Sequence, residues 1–462
     1  MVPIQDVSMM IHQQRYFFET GITLPITFRI QQLELLKSIL QTHEAEIITA
    51  LKLDLNKAPN ESMLTELLLI KKEIEYVIKH LKKWARPKKV FTPLFLWPGR
   101  SVIRSEPYGI VLIIAPWNYP FMLTISPLIG AISAGNCVVV KPSEIAVHTH
   151  ELILNLIQKY FPSEYICALS AAPNQMPAIL SEKFDYIFFT GSTKIGKLVM
   201  EAAAKQLTPV TLELGGKNPC IVDETANLNF AARRIVWAKF LNAGQTCIAP
   251  DYLYIHINCK QALLKKIIAT IEQFYSPHPE TSNSYSRVIN KHHFQRLTAL
   301  SQCGNILYGG KIDQEKLYIS PTLLDNITWS DPIMQEEIFG PLLPILTYEH
   351  INQVIAEIKS RPKPLAAYLF TQNKTNEIKF LSQFSSGGSC INDCLTQFVN
   401  YYLPFGGIGQ SGMGRYHGKT SFKTFSHYKS IYKKTILIDT KLEYPPYSNR
   451  KLKWVRRLIT WL

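Results

Sequence analysis

A thiol, a carboxylate and an amide in this chain are of the types that nucleophilic catalysis uses. Cys247 lies in Asn242-Ala-Gly-Gln-Thr-Cys-Ile-Ala-Pro-Asp251, after a glycine-containing turn and among small, polar neighbours that leave room for a substrate. A thiol is a nucleophile once ionised, although a lone cysteine is more often an inert buried residue. Glu213 lies 34 positions upstream (247 − 213), about one strand–helix unit, in Thr211-Leu-Glu-Leu-Gly-Gly-Lys-Asn218. Burial in an apolar strand before the Gly-Gly turn would raise its pKa and tune it as a general base; a glutamate pointing to solvent from a strand end is the plain alternative. Asn118, in Ala115-Pro-Trp-Asn-Tyr-Pro120, carries an amide that can donate to a developing oxyanion or simply serve a turn.

Three further segments bear on ligand binding. Gly191-Ser-Thr-Lys-Ile-Gly-Lys-Leu198 nearly fits the phosphate loop GxxxxGK[ST], but Leu198 stands where the Mg²⁺-holding hydroxyl belongs, which argues against a triphosphatase. The strand-like YIFF before it and a helix after it still place free backbone N–H groups at a helix N-terminus, a natural pyrophosphate site; an ordinary turn capped by Ser192 fits as well. No GxGxxG follows the first buried strand, so any dinucleotide is held in another way. Gln335-Glu-Glu-Ile-Phe-Gly-Pro341 offers two adjacent carboxylates, only one of which easily faces a given site. Pro404 to Gly414 carries five glycines in nine residues, which means close backbone approach or tight turns but names no chemistry.

The elements that must position these residues are legible as periodicity. Residues 28–85 carry helical spacing, as in Leu33, Leu36 and Leu40 or Ile74, Val77 and Ile78, and predict a helical N-terminal layer. Residues 90–102 change character, with Phe91, Phe95 and Trp97 around Pro93 and Pro98, as an arm or hairpin with an apolar face would. Short apolar strands then alternate with helices: strands at 109–115, 137–140, 186–189 and 210–214, helices at 151–160 and 194–205. This alternation predicts a parallel sheet with helices on both faces. It resumes with a strand at 253–257, a helix at 261–274 and later strands including 366–370, which predicts a second α/β domain.

Composition bounds the rest. The 462 residues, 47% hydrophobic and 18% charged, describe a globular chain of two or three domains. A net charge of +15, partly local to 429–434 and 451–457, permits anionic ligands or surfaces, yet no nucleic-acid-binding motif accompanies it. Eight scattered cysteines without a CxxC pair predict a reducing compartment, and the twelve histidines show no HExxH, so no metal is expected. The N-terminus lacks the basic and apolar regions of a signal peptide. Prolines 116, 120 and 127 interrupt the apolar stretch 110–134, which reads as strand, loop and helix rather than a membrane span.

Taken together, PWNYP, KPSE, FTGS, LELGGKNP, GQTC, EEIFGP and PFGG resemble, in order and spacing, the aldehyde dehydrogenase superfamily over roughly residues 10–440. GQTCIAPDYLY and SGMGRYHGKTSF resemble its class 3 and fatty-aldehyde branch. The resemblance implies an α/β fold with a Rossmann-like cofactor domain (1–88 and 104–210), an α/β catalytic domain (211–415) and an oligomerisation arm of β-strands (89–103 and 425–440). It implies oxidation of an aldehyde to the acid through a Cys247 thioester, with Glu213 as base and Asn118 and the Cys247 N–H on the oxyanion. NAD or NADP would be held by Trp117, by Lys141 and Glu144 at the adenosine ribose, by Gly191 and Ser192 at the pyrophosphate, and by Glu337 and Phe339 at the nicotinamide end. A homodimer follows by the same resemblance; the cysteine usage and the missing nucleic-acid motif add the expectation of a cytoplasmic protein without a nucleic-acid partner. The aromatic-rich surroundings favour a medium- or long-chain aliphatic or an aromatic aldehyde.

The tail 441–462 reads as a short amphipathic helix, with Trp454, Val455, Leu458, Ile459 and Leu462 on one face and Lys453, Arg456 and Arg457 supplying charge. It suits peripheral contact with an anionic membrane or packing against the enzyme, and is too short to span a bilayer. Transfer of the acyl group to coenzyme A, a silent protein of this fold, and a nucleic-acid or membrane scaffold are the competing functions. Glu213 argues for water as acceptor, and Cys247 with Glu213 argues against silence.

Overall fold

The computed structural model describes residues 7–439 and 441–461, with side chains described to residue 457. Helices Val7–Glu19, Ile26–Thr42, Glu44–Leu55 and Leu68–Trp84 form the expected N-terminal layer. Their apolar positions, Leu33, Leu36, Ile70, Ile74 and Val77 among them, are almost fully buried. Just before the last of these helices, Met63–Leu67 is one π-helical turn. That extra residue rotates Glu66 into the interior, where it is completely buried.

Six strands make the first sheet, in the order Gly412–Met413, Val210–Glu213, Tyr186–Thr190, Ile110–Ile114, Cys137–Lys141, Ile166–Ala168. All pair in parallel except Gly412–Met413, which runs antiparallel along the edge. The central strands are buried along their whole length, as continuous apolar runs require. The chain starts at Ile110–Ile114, builds outward to Ile166–Ala168, then crosses back to build the other half. Strand order therefore reverses between Ile110–Ile114 and Tyr186–Thr190, and a crevice opens there at the strands' carboxyl ends. The expected domain limit at 210/211 falls inside Val210–Glu213, a strand of this sheet.

A second sheet of seven strands runs Asn305–Tyr308, Thr322–Asp325, Leu342–Tyr348, Tyr252–His256, Pro219–Val222, Ala366–Phe370, Gly388–Ile391. It is parallel but for its first pair. Apart from both, Lys88–Val90, Arg100–Pro107 and Ser426–Lys433 form a three-stranded antiparallel sheet. The turn joining its first two strands leaves Phe91, Leu94, Phe95 and Trp97 exposed.

The tail is a helix, Asn449–Trp461, with Trp454 and Val455 exposed. The side chains of Leu458 and Ile459, and residue Leu462, lie outside the described residues. Among the described residues, no helix is long and apolar enough to cross a membrane.

Candidate active site

At the carboxyl ends of the first sheet, a cavity of about 670 Å³ opens between the two sheets. The loop after Ile110–Ile114 brings Trp117 and Asn118 to it, the turn after Tyr186–Thr190 brings Gly191 and Ser192, and the end of Val210–Glu213 brings Glu213. Cys247, Glu337 and Phe339 complete the wall from the second half. Eight of the ten side chains singled out in the sequence thus meet on one cavity.

Cys247 is half-buried at the end of a sharp backbone reversal. Asn242 (φ 53), Ala243 (φ 51) and Gly244 (φ 75) are consecutively left-handed. Two of the three carry a Cβ, which costs roughly 1–2 kcal/mol each in that region, so partners must hold the turn. Gly244 cannot be replaced cheaply, because a Cβ there would collide with the carbonyl oxygen of Gly340. Asn242 Nδ2 donates to the carbonyls of Asn118 (2.8 Å) and Gln245 (3.2 Å). Gln245 donates to Asn242 O and Arg287 O, both at 2.9 Å, and accepts the Ile289 N–H at 3.0 Å. Burial, with Glu337 and Glu213 nearby, pushes the Cys247 thiol up, while the N–H groups of Cys247 and Ile248 oppose the shift.

Glu213 is 3% exposed, and neither of its carboxylate oxygens takes a protein hydrogen bond. Burial holds its carboxyl well above the usual range, with Arg415 pulling weakly the other way. Asn118 is buried and gives one amide hydrogen to Gln245 O at 3.0 Å. The rings of Trp117 and Phe339 meet edge-on at 5.2 Å, and the His293 ring lies 4.7 Å from that of Trp117.

A family model for the aldehyde dehydrogenases matches residues 5–431. The chain belongs to the aldehyde dehydrogenase family. The 4,4'-diaponeurosporen-aldehyde dehydrogenase of Staphylococcus aureus (strain NCTC 8325 / PS 47) is 45% identical over 452 residues, 97% of this chain and 98% of that protein. An aldehyde dehydrogenase of Canis lupus familiaris described as dimeric and NADP-preferring is 42% identical, over 96% of this chain and 98% of its own length. The substrate-bound state of Staphylococcus aureus AldH superposes with a TM-score of 0.96 at 44% identity, covering 99% of this chain and all of that one. This aldehyde dehydrogenase oxidises an aldehyde to the acid with NAD or NADP. The class 3 branch and the fold expected from the sequence are both found.

The residues present fit a dinucleotide. Glu337 Oε1 and Thr190 Oγ1 are buried without a protein partner. The helix Thr193–Ala204 opens at the cavity, which Gly191, Ser192, Thr193 and Lys194 line, and Ser192 caps it by accepting the Ile195 N–H at 3.4 Å. Both readings of Ser192 therefore coexist: it caps the helix and lines the cavity. The Glu337 carboxylate packs directly on Gly215, and a Cβ there would force it to move. Of the two adjacent glutamates, Glu336 is exposed and pairs with Arg296 at 3.1 Å, while Glu337 faces inward with its carboxyl pushed up to about 8 by burial and by Asp251.

Lys141 and Glu144 do not line this cavity. They form an ion pair with each other at the carboxyl end of Cys137–Lys141, on the same edge of the sheet. Three positioning groups escaped the sequence reading. Arg296 donates to Glu337 O (3.2 Å) and Ile338 O (2.5 Å). Lys217 pairs with Asp251 and donates to Ile333 O and Glu336 O. Asp251 in turn accepts the Ile338 N–H at 2.8 Å. Together they fix the segment that carries Glu337 and Phe339; their charges look like solvated surface in the sequence.

Proposed function

We propose that this aldehyde dehydrogenase oxidises apolar aldehydes through a thioester on Cys247 that is hydrolysed by water activated at Glu213. The observation that carries the reading is that one half-buried thiol and one buried carboxylate with two unpartnered oxygens face the same aromatic-walled cavity.

The Cys247 thiolate adds to the aldehyde carbon, and the carbonyl electron pair moves to oxygen. The second Asn118 amide hydrogen and the Cys247 N–H would hold that oxyanion; both residues line the cavity. When bound, NAD(P)⁺ supplies the hydride acceptor, which leaves the acyl group on sulfur. Glu213 then takes a proton from water whose oxygen attacks the acyl carbon; the C–S bond breaks and the acid departs. Gly191, Ser192 and the helix start after them would hold the diphosphate, and Glu337, Phe339 and Trp117 the nicotinamide end. Lys141 and Glu144 would hold the adenosine ribose by opening their mutual pair. The first sheet, up to Glu213, serves as the cofactor half and the second as the catalytic half.

Two larger-scale readings belong to the same proposal. The sheet of 88–90, 100–107 and 426–433, with its exposed Phe91, Phe95 and Trp97, serves as the arm of a homodimer, the assembly named for the canine relative. The tail helix, with Trp454 and Val455 exposed beside Lys453, makes peripheral contact with anionic membranes.

An aldehyde panel read by the absorbance of reduced cofactor, with NAD and with NADP, tests the chemistry. Aliphatic and aromatic aldehydes turn over in preference to small polar ones, and Cys247→Ser abolishes turnover. Normal cofactor reduction by that variant overturns the proposal.

A further inference from the structure

Behind the turn that presents Cys247 lies a cluster of ionisable groups that the proposed chemistry does not use. Lys57 and Glu66 form a completely buried ion pair, Nζ to Oε1 at 2.5 Å. The other Glu66 oxygen accepts the N–H groups of Phe121 and Met122, both at 3.0 Å, where the loop of Asn118 enters a helix. Lys57 Nζ sits 4.2 Å from the centroid of the Tyr119 ring, whose hydroxyl lies 2.7 Å from Thr246 Oγ1. These contacts bind the N-terminal helical layer to both sides of the proposed oxyanion site.

Glu61, four residues after Lys57 in the short helix Pro59–Ser62, makes a different contact. Its Oε1 accepts the backbone N–H of Asn242 at 2.9 Å, and among the described residues it is the only side chain that does so. Asn242 opens the left-handed run 242–244, and its side chain is occupied with Asn118 O and Gln245 O. Hydrogen bonds made within the turn and to Asn118 leave this N–H to be satisfied from outside, and an unsatisfied N–H in a buried residue disfavours the whole conformation.

We infer that Glu61 is a positioning residue for the nucleophile: by accepting the Asn242 N–H, it holds the left-handed run in the conformation that brings Cys247 to the cavity. This rests on the reading of Cys247 as the nucleophile. Misplacing a reacting atom by an ångström is enough to cost about 10²-fold in rate, so a contact that fixes the backbone at Asn242, in the turn leading to Cys247, matters. Lys57, Glu66, Tyr119 and Tyr275 are the ionisable groups around Glu61. Burial pushes its carboxyl up to about 7, Lys57 and the Asn242 N–H pull it down, and Glu66 adds to the rise. The acceptor therefore gains charge, and strength, within the range where such an enzyme is assayed.

The test uses the full-length enzyme with Glu61→Ala and Glu61→Gln. Alkylation of Cys247 by iodoacetamide without cofactor is followed by mass spectrometry from pH 5.5 to 9, beside kcat, the KM for cofactor, and circular dichroism. Glu61→Ala slows alkylation and kcat about tenfold or more with cofactor KM unchanged. Glu61→Gln keeps an acceptor oxygen, stays within about threefold of wild type, and loses an inflection near pH 7 that the wild-type alkylation profile shows. Wild-type alkylation in Glu61→Ala, or equal impairment of both variants, overturns the inference. Should Glu61→Ala fail to fold, the profile of Glu61→Gln decides, and one that coincides with wild type overturns it. Cys247→Ser separates the two levels: turnover in that variant sinks the nucleophile, whereas a dead Cys247→Ser with a normal Glu61→Ala sinks Glu61 alone.

Discussion

Glu213, the proposed base, sits where burial of an unpartnered carboxylate costs stability. Its two oxygens are buried and unpartnered, and burial holds its pKa above the unfolded value. A carboxyl of that kind binds its proton more tightly in the folded chain, so stability falls as pH rises from the ordinary carboxylate range through the folded pKa. Glu213→Gln removes this titration and should raise Tm at pH 7. The same substitution should cut steady-state turnover by roughly 10²-fold or more, and should turn hydride transfer into a burst followed by slow deacylation. A lowered Tm with unchanged turnover would refute both halves. Since the proposed base would act in its ionised form, wild-type deacylation should quicken as pH rises through a midpoint above the usual carboxylate range.

At the scale of elements, the site is assembled by turns that the strands and helices leave exposed. The segment 336–339 has no regular structure between the helix Pro332–Gln335 and the strand Leu342–Tyr348, and Phe339 itself is left-handed (φ 50). Arg296 ties its carbonyls to the helix Lys291–Leu300. Arg296→Ala should therefore raise the KM for cofactor about tenfold or more while leaving Cys247 alkylation without cofactor near wild type. Equal loss in both would place Arg296 in the general fold instead. Sequence made the elements legible where burial imposes a single period. Ile110–Ile114, Tyr186–Thr190 and Ala366–Phe370 are continuous apolar runs, and the helices 26–55 and 68–84 keep helical spacing. The loop leading to Cys247 was legible as a motif but not as a shape. Asn242 and Ala243 are left-handed without being glycine; asparagine tolerates that region, but nothing in the type of Ala243 signals it. Lys57, Glu61 and Glu66 look like an ordinary solvated helix face, and only the π turn at Met63–Leu67 carries Glu66 inside. Lys141 and Glu144 occupy the expected edge but hold each other, a pairing that one sequence cannot distinguish from two ligands waiting for a ribose.

The whole molecule presents two apolar features that the single chain leaves uncovered. Phe91, Leu94, Phe95 and Trp97 stand out from the antiparallel arm, and the tail helix exposes Trp454 and Val455. Burying a large side chain contributes about 1.5–3 kcal/mol, so a second copy seated on the arm gains several such increments. Light scattering should give a dimer, and Phe91→Asp with Trp97→Asp should give a monomer; a wild-type monomer at micromolar concentration would contradict the arm's role. The tail is separable from it. Flotation with anionic liposomes should carry the full chain upward and leave a variant lacking residues 445–462 behind, and equal flotation of the two removes the tail from membrane contact. Neither result bears on the chemistry proposed for the cavity between the sheets.

The most direct measurement traps the acyl group. Glu213→Gln is mixed with an aldehyde and oxidised cofactor, quenched within a turnover, digested and read by mass spectrometry. The account predicts an adduct on the peptide holding Cys247, two hydrogens lighter than the aldehyde added, formed together with reduced cofactor. Reduced cofactor appearing with Cys247 unmodified, or with the acyl group on another residue, would contradict it.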